Sequence, residues 1–447
     1  MASAAEQLAA NMNFGAFGKA TELKKRIWFT LGALIVYRLG TYIPLPGIDP
    51  VAINDIFTRQ AGGILGMFNM FAGGALGRMT IFALNIMPYI SASIIMQLMT
   101  AVLPSLEALK KEGEAGRKKI NQYTRYLTVL ITAGQAYGLA VGLEGMQSSI
   151  GSAVIDPGWF FRLTTVITLT GGTMFLMWLG EQITARGIGN GISLIIFAGI
   201  VAQFPHSLVA TLELGRTGAM SAGFILLLVV IVLAVIYFVV FVERAQRRIV
   251  VQYPKRQVGM RVTSGESSHL PLKLNTSGVI PPIFASSILL MPITIISFMA
   301  GSGPSWLTSV SVYLGHGQPL YLLMYVGLIV FFAFFYTAVV FNPTETADNL
   351  KKYGGFIPGI RPGRNTAEYL DRVLTRLTVL GAAYLAIVCI LPEILISRFS
   401  VPFYFGGTSL LIVVTVTMDT VSQIQSHLLA HQYEGLIKKA KLRGRKR

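Results

Sequence analysis

Few residues of this 447-residue chain have the types and spacings that support catalysis or metal binding. The five histidines lack the His-Glu-x-x-His spacing of a zinc enzyme, and only His427 and His431 are close enough to share a helix face. A single cysteine, Cys389, lies in an apolar run and permits neither an internal disulfide nor a cysteine-based metal site. We therefore predict that the chain has no catalytic residue, binds no metal and carries no cofactor.

Two glycine-rich stretches resemble nucleotide-binding loops only superficially. Residues 113–119 contain the glycines and lysines of a phosphate loop but lack its spacing and its hydroxyl residue. Residues 187–191 resemble a dinucleotide-binding turn, but no strand precedes them, and we interpret them as a tight turn that leads into a helix. Ionisable residues within the apolar segments are few, mainly Arg38 and Asp419. Ion-coupled transporters need more such charges at membrane depth.

The composition predicts a helical membrane protein. Hydrophobic residues make up 53% of the chain and charged residues only 13%. A soluble protein has about a quarter of its residues charged, and a disordered chain is much less hydrophobic. A spanning helix requires about 20 mainly apolar residues. Ten segments meet this requirement: residues 24–43, 79–99, 123–143, 159–179, 187–205, 221–242, 279–299, 320–341, 377–396 and 402–421.

The distribution of basic residues predicts that both ends of the chain are cytoplasmic. Of the 37 Lys and Arg residues, 31 fall in the N-terminal segment, in or beside the loops after even-numbered spans, or in the tail. Cytoplasmic loops of membrane proteins carry such an excess of basic residues. Residues 24–26 are basic and precede the first apolar run, which lacks a small-residue cleavage site. We therefore expect an uncleaved first span.

One pattern, [Ile/Val]-x-Pro-x-Ile-x-Ala-Ser-x-Ile, occurs at residues 86–95 and again at 279–288. Each copy lies in the second span of a group of five. Because five is odd, the two groups have opposite orientations in the membrane. This predicts an inverted repeat with halves at 1–205 and 206–447, a plan typical of proteins that move a substrate between the halves. A chance match of apolar residues is the alternative.

Longer motifs point to one family. They are FNMFAGGAL at 68–76, IMPYISASI at 86–94, GIGNGIS at 187–193, FNP-x-ETADNL at 341–350, PGIRPG at 358–363 and PFYFGGTSLLI at 402–412. In these motifs the chain closely resembles the bacterial SecY family, the channel subunits of the Sec protein translocase, from about residue 20 to about residue 440. The resemblance implies an all-α polytopic membrane protein, with ten transmembrane helices in two inverted five-helix halves around a central pore. Such a channel passes unfolded signal-bearing polypeptides across the membrane and releases apolar segments sideways into lipid.

The resemblance also implies a constriction formed by a ring of apolar side chains. Branched apolar side chains exclude water, so ions meet a barrier when no polypeptide is present, and they offer a sliding chain no hydrogen-bond partner. The ring residues are Ile86, Ile90, Ile192, Ile196, Ile283 and Ile412.

Family members have a lateral gate between the second and seventh spans, which carry the repeated motif. A signal with ten apolar residues gains about 3–6 kcal/mol by leaving the pore for lipid, whereas a polar segment gains nothing. We assign Pro88, Ser91, Pro281 and Phe284 to this gate. We expect the two prolines to kink their helices, although membrane helices also tolerate proline without functional consequence.

A short plug helix closes the outer funnel in the family, and a glycine-bracketed apolar stretch before the second span resembles it. On physical grounds alone, an interfacial or re-entrant helix of no special role is an equal alternative. The plug residues are Gly62, Gly63, Ile64, Leu65, Gly66, Met67, Phe68, Asn69, Met70, Phe71, Ala72, Gly73 and Gly74.

The basic inner loop at about 243–277 is one candidate docking surface. Residues 247–253 and 260–263 flank a turn-forming stretch and predict a protruding hairpin. We expect Lys255 and Arg256 at its tip. Basic loops bind RNA or anionic lipid by charge, but most such charges serve only as topology determinants.

A second basic loop, at about 342–376, carries Arg361 within the PGIRPG motif. The resemblance implies that both loops contact the motor ATPase SecA and the ribosome, which supply the energy, so the chain itself is not an enzyme. Further implied partners are the small subunits SecE and SecG, preproteins with their signal peptides, and the lipid bilayer. The implied location is the bacterial cytoplasmic (inner) membrane.

Two other function classes match parts of this pattern. An inverted-repeat secondary transporter for a small solute would need ionisable residues at the midplane, which are missing. A structural membrane receptor for ribosomes would need the basic loops but no apolar ring.

Overall fold

The structure is a computed structural model, and it describes residues 21–59, 69, 72–146, 151–218, 221–254, 256–258, 261–263, 267–299, 313, 318–399 and 407–444. Helices dominate this part of the chain, with four short strands in the loop between Arg244 and Ile280. The helices are α1 (Thr21–Gly40), α2 (Pro50–Arg59), α3 (Met87–Val102), α4 (Pro104–Lys111), α5 (Glu114–Gly145), α6 (Trp159–Arg186), α7 (Gly191–Arg216), α8 (Ala222–Arg244), α9 (Ile280–Met299), α10 (Pro319–Val340), α11 (Pro343–Lys352), α12 (Arg364–Phe399) and α13 (Gly407–Gly444). The strands are β1 (Gln246–Gln252), β2 (Arg256–Val258), β3 (Arg261–Thr263) and β4 (Ser267–Lys273).

Seven helices in the described part are long and apolar enough to cross a membrane: α5, α6, α7, α8, α10, α12 and α13. Helices α3 and α4 together would make an eighth span, although they are bent by 98° at Leu103. Leu103 has an extended backbone because Pro104 follows it, and a residue before proline is disfavoured in the helical region. The chain is a multi-pass helical membrane protein.

Each of the ten predicted segments overlaps a helix, including α1 and α9, which lie outside the seven. The count of ten spans stays a prediction. Helices α12 and α13 also extend well beyond the apolar segments predicted for them, since their flanking residues continue the helix in polar surroundings.

The predicted second span was wrong at its beginning. Residues 79–86 form a series of turns, and α3 begins only at Met87. The Met79 carbonyl accepts a hydrogen bond from the Leu45 amide (2.9 Å), and the Ile81 amide donates to the Ile43 carbonyl (3.0 Å). These backbone groups are therefore paired with another segment and are unavailable for a helix.

The two copies of the repeated motif have the same backbone geometry. Helix α3 begins one residue before Pro88, and α9 begins one residue before Pro281. Two residues before each helix, the backbone is left-handed, at Asn85 (φ 49°) and Gly278 (φ 64°). The repeat thus extends to the turn that starts each helix. The prediction that the prolines kink their helices was wrong, because both lie in the first turn, where proline removes no helical hydrogen bond.

The chain divides into two compact units. Unit 1 comprises Met1–Tyr89, Arg125–Pro205 and Ile412–Arg447, and unit 2 comprises Ile90–Thr124 and His206–Leu411. The inverted halves at 1–205 and 206–447 stay a prediction.

In unit 1, aromatic rings join α1, the turns before α3, and α6. The Tyr37 and Phe82 rings stack with centroids 6.2 Å apart, and the Phe82 and Phe175 rings stack at 5.9 Å. Gly172 of α6 lies so close to the Ile81 carbonyl that an added Cβ would overlap that oxygen. The absence of a side chain at this glycine therefore lets the turn segment seat directly against α6.

In unit 2, α10 packs against both α9 and α12. The C-terminal half of α12 also meets the beginning of α13. A Cβ at Gly407 would overlap the Val388 carbonyl and the Cys389 Cα. This glycine therefore brings the start of α13 into direct backbone contact with α12.

Candidate functional site

Four of the six predicted ring isoleucines lie in unit 1. Ile86 and Ile412 are each 1% exposed, Ile196 is also buried, and Ile192 is half-buried. Three of them lie at or near the first turns of helices: Ile86 immediately before α3, Ile192 as the second residue of α7, and Ile412 in the second turn of α13. That these side chains converge on one constriction stays a prediction.

The turn at residues 187–190 fixes the start of α7, and with it Ile192. The Ile188 amide donates to Thr30 Oγ1 of α1 (3.1 Å), and the Gly189 amide donates to Gln423 Oε1 of α13 (2.8 Å). Asn190 Oδ1 caps the helix by accepting from the Ile192 amide (3.1 Å). This confirms the interpretation of the glycine motif as a tight turn into a helix.

Close backbone packing fixes α7 against α6. A Cβ on Gly191 would overlap the Gly180 carbonyl, so the first residue of α7 touches the backbone of α6. The Gly191 amide also donates to Thr184 Oγ1 (2.8 Å). Sequence reasoning missed Thr30, Thr184 and Gln423, because each is a common polar residue within a helix and nothing in its spacing marks a long-range contact.

The end of the predicted plug is held by two arginines. Asn69, Ala72, Gly73 and Gly74 are described, whereas Gly62–Phe68, Met70 and Phe71 lie outside the described residues. The Gly73 carbonyl accepts from Arg38 Nη1 (2.7 Å) and from Arg78 Nη2 (3.3 Å). Both guanidinium groups lie over the Tyr42 ring, at 5.1 and 4.1 Å from its centroid.

Asn69 and the two glycines complete this anchor. Asn69 Oδ1 accepts from the Gly77 amide (2.6 Å), and the Asn69 carbonyl accepts from the Gly74 amide (2.8 Å). Gly73 and Gly74 have φ of 64° and 83°, a region that favours glycine. Sequence reasoning recognised Arg38 as an unusual charge within a span but did not predict its hydrogen bond to the Gly73 carbonyl.

The remaining ring isoleucines, Ile90 and Ile283, lie in unit 2. Ile90 is buried and Ile283 is half-buried. The Ile283 carbonyl accepts hydrogen bonds from Ser286 Oγ (2.9 Å) and Ser287 Oγ (2.7 Å), so the small polar residues of the repeat are satisfied within α9.

The predicted lateral-gate residues differ in exposure. Pro88 and Pro281 are buried, and Ser91 is half-buried. Phe284 is also buried, and its ring meets the Phe332 ring of α10 edge to face at 5.6 Å. Phe284 therefore anchors α9 to α10 within unit 2. The assignment of these four residues to a gate stays a prediction.

The predicted hairpin in the first basic loop exists, and it consists of two antiparallel strand pairs. Strand β1 pairs with β4, so that Gln252 is opposite Ser267, and the short strand β2 pairs with β3, so that Arg256 is opposite Thr263. The turn therefore follows Val258, and Arg256 is not at the tip. Lys255 lies outside the described residues.

The two basic loops form one packed structure, here called the platform (residues 246–273 and 353–377). Gln252 and Phe356 exchange two backbone hydrogen bonds of 2.9 Å. Beneath them lies a shared apolar cluster of Ile249, Leu272, Ile357, Leu370, Val373, Leu374 and Leu377. Arg361 is exposed on this platform, and its carbonyl accepts from Thr366 Oγ1 (2.9 Å). The structure thus brings together two loops that sequence reasoning treated separately.

Among the described residues, no group of three or more His, Cys, Asp or Glu side chains is arranged to hold a metal ion. Cys389 is buried on α12 and forms no disulfide.

Comparison with known proteins identifies the family. A family model described as SecY matches residues 80–421, which is most of the chain. The protein translocase subunit SecY of Escherichia coli (strain K12) is 58% identical over 428 residues, covering 96% of each chain.

Solved structures with 18% sequence identity share the fold. One, described as the structure of a protein conducting channel, has a TM-score of 0.66 and covers 91% of this chain and 92% of its own. Another, Sec61 in a canine ribosome-channel complex from the endoplasmic reticulum, has a TM-score of 0.63 with the same coverage. The sequence match over nearly the full length and the shared channel fold lead to one conclusion: the chain belongs to the SecY family.

Proposed function

We propose that this chain is the central pore-forming subunit of a protein translocation channel. It passes unfolded, signal-bearing polypeptides across the membrane and releases apolar segments sideways into lipid. The observation that carries this proposal is the 58% identity, over nearly the full length of both chains, to a subunit of a protein translocase. The same match favours the channel over the inverted-repeat transporter.

The six isoleucines form the seal of this channel. Ile86, Ile90, Ile196 and Ile412 are buried, as expected for side chains that close a constriction to water. A ring of branched apolar side chains gates by excluding water, so ions meet a barrier. The residues at 62–74 form the plug, and the Arg38–Gly73–Arg78 contacts fix its C-terminal end.

The lateral gate lies between α3 and α9. Two features support an inverted relation between these helices: the shared motif and the matching left-handed residues Asn85 and Gly278. A segment of ten apolar residues gains about 3–6 kcal/mol by passing through such a gate into lipid. Channel opening and substrate sorting are therefore performed by the same pair of helices.

Partners supply the energy, and the chain performs no catalysis. The platform carries the exposed Arg361 and the strand that contains Arg256, and basic residues suit the acidic or nucleic-acid surfaces of a motor ATPase resembling SecA and of a ribosome. A relative of the same fold was solved in a ribosome-channel complex. Subunits resembling SecE and SecG complete the assembly in the bacterial inner membrane, with both termini cytoplasmic.

Reconstitution tests the proposed function. Vesicles that contain this chain and its small membrane partners are incubated with the motor ATPase, ATP and a signal-bearing precursor. We expect the precursor to become protected from added protease, and protection to require ATP and the signal. Flux of a small solute without movement of the precursor would support a transporter and contradict the proposal.

Arg361→Glu is expected to lower motor-driven transport at least about tenfold, the size of a loss of about 1.4 kcal/mol at a partner contact. Protease protection of the precursor, per channel, measures it. Arg364→Glu is the matched control, because it makes the same charge change three residues away on an exposed side chain (91% exposed) outside the PGIRPG motif. Equal losses in both variants would show that net charge matters rather than Arg361.

A further inference from the structure

The turn between α6 and α7 is held from two sides by neighbouring helices. This turn, residues 187–190, is buried as far as Gly189. Thr30 of α1 accepts from the Ile188 amide (3.1 Å), and Gln423 of α13 accepts from the next amide, that of Gly189 (2.8 Å). All of these residues lie in unit 1. Two consecutive backbone amides therefore depend on acceptors that are supplied by two different helices.

Gly189 lies directly beside α13. Its φ is 86°, in the left-handed region that favours glycine. A Cβ at this position would lie 3.4 Å from Thr420 Oγ1 of α13. Thr420 precedes Gln423 by three residues and therefore lies on the same face of the helix. An unpaired buried amide is costly, so without the Gln423 oxygen the turn would have to move until this amide met another acceptor.

Apolar contacts hold the same turn but do not fix its register. Ile188 forms a buried cluster with Leu23 of α1 and Leu428 of α13, and Ile27 and Ile424 pack against this cluster. Apolar burial is non-directional, so such a cluster tolerates a small displacement of its members. A hydrogen bond requires a particular distance and angle. The two polar contacts therefore determine where the turn lies along α1 and α13.

Three of the predicted ring isoleucines lie on the two helices that the Gln423 bond connects. Ile192 and Ile196 are the second and sixth residues of α7. Ile412 precedes Gln423 by eleven residues, which is about 16 Å of α13. A displacement of the turn passes to Ile192 and Ile196, because one or two turns of helix are stiff. The Gln423 bond thus fixes α7 relative to the helix that carries Ile412.

We propose that Thr30 and Gln423 are positioning residues of the ion seal, which hold α7 in register with α13 and so keep Ile192 and Ile196 in the ring. This inference rests on the proposed function and deepens it. An apolar constriction excludes ions only while its side chains stay packed together, so a shift of α7 lowers the barrier that ions meet.

The resting ion conductance of the reconstituted channel, recorded in planar bilayers and normalised to assembled channels, tests this inference. Gln423→Met keeps the length of the side chain and removes the oxygen that accepts from Gly189. Thr30→Val keeps the shape of the side chain and removes the acceptor for Ile188. We expect each variant to raise the conductance at least about threefold while an intact precursor is still transported. If one variant assembles poorly, the other decides.

Controls on α13 separate this contact from a general disturbance of the helix. Gln425→Met makes the same exchange two residues further on, about 200° around the helix from Gln423, and should leave the conductance within about twofold of the unmodified channel. Gln423→Glu keeps an oxygen that accepts from Gly189, and Gln425→Glu adds the same charge on the other side of the helix. We expect these two glutamate variants to conduct equally.

Unchanged conductance in Gln423→Met or in Thr30→Val, with normal transport of the precursor, would overturn this inference alone. An equal rise in Gln425→Met would overturn it as well. So would a Gln423→Glu channel that exceeds Gln425→Glu by the same factor that separates the two methionine variants. An unmodified channel that moves no precursor would overturn the proposed function, and this inference with it.

Discussion

Replacing Ile192, Ile196 and Ile412 together with serine is expected to raise the resting ion conductance of the reconstituted channel at least about tenfold. That rise corresponds to a decrease of about 1.4 kcal/mol in the barrier that ions meet. The physical reason is wetting, because three hydroxyl groups supply hydrogen bonds to water where branched apolar side chains supply none. Planar-bilayer recording, normalised to the number of assembled channels, measures the effect.

A matched control replaces three isoleucines whose side chains are well exposed on the helix surfaces. Ile35, Ile167 and Ile387 are each at least 60% exposed. Serine at these positions removes the same number of methyl groups and adds the same hydroxyls. We expect the resting conductance of this control to match that of the unmodified channel. Equal conductance in the ring variant and the control would remove the seal from the proposal while leaving the family assignment intact.

Two adjacent glycines on α6 are expected to respond to alanine with opposite signs. Gly172→Ala should lower the free energy of unfolding by about 1–3 kcal/mol, because the new Cβ overlaps the Ile81 carbonyl and the backbone there must move. Gly171→Ala should raise it by up to about 1 kcal/mol, since that glycine faces open space and alanine favours helix. Thermal unfolding of the purified protein in detergent measures both.

The stability difference should have a functional counterpart. Displacing the turn segment at Ile81 also displaces Ile86, which follows it by five residues. We therefore expect Gly172→Ala, but not Gly171→Ala, to raise the resting conductance per channel. Destabilisation by both variants would contradict the direct seating of the turn segment against α6.

Apolar runs predicted the helices well, because hydropathy is a local signal that is fixed by the solvent each segment meets. The beginning of α3 was missed for a different reason. The Met79 carbonyl and the Ile81 amide pair with the backbone of Leu45 and Ile43, and no periodicity in the sequence reports such pairing. The repeat, by contrast, extends one residue beyond the ten positions of the sequence motif. Asn85 and Gly278 differ in residue type but share a left-handed backbone.

The candidate site residues came from long motifs, whereas single polar residues that make long-range contacts were missed. The hairpin illustrates both cases. Its turn-forming residues predicted a reversal of the chain, but the pairing of β1 with β4 depends on buried residues such as Ile249 and Leu272, which pack onto a loop about a hundred residues later. Asn275 shows the same limitation. In the sequence it is one more polar residue after a strand, whereas in the structure its amide donates to Glu243 of α8.

The platform has a mechanical consequence. Its apolar cluster includes four residues of α12, so a force applied to the hairpin or to the Arg361 loop is carried by that helix. From Arg364 to Val388, α12 runs about 36 Å without a proline, and at Val388 its backbone touches Gly407, where α13 begins. A load on the platform is therefore carried along α12 to the start of α13 at Gly407, five residues before Ile412.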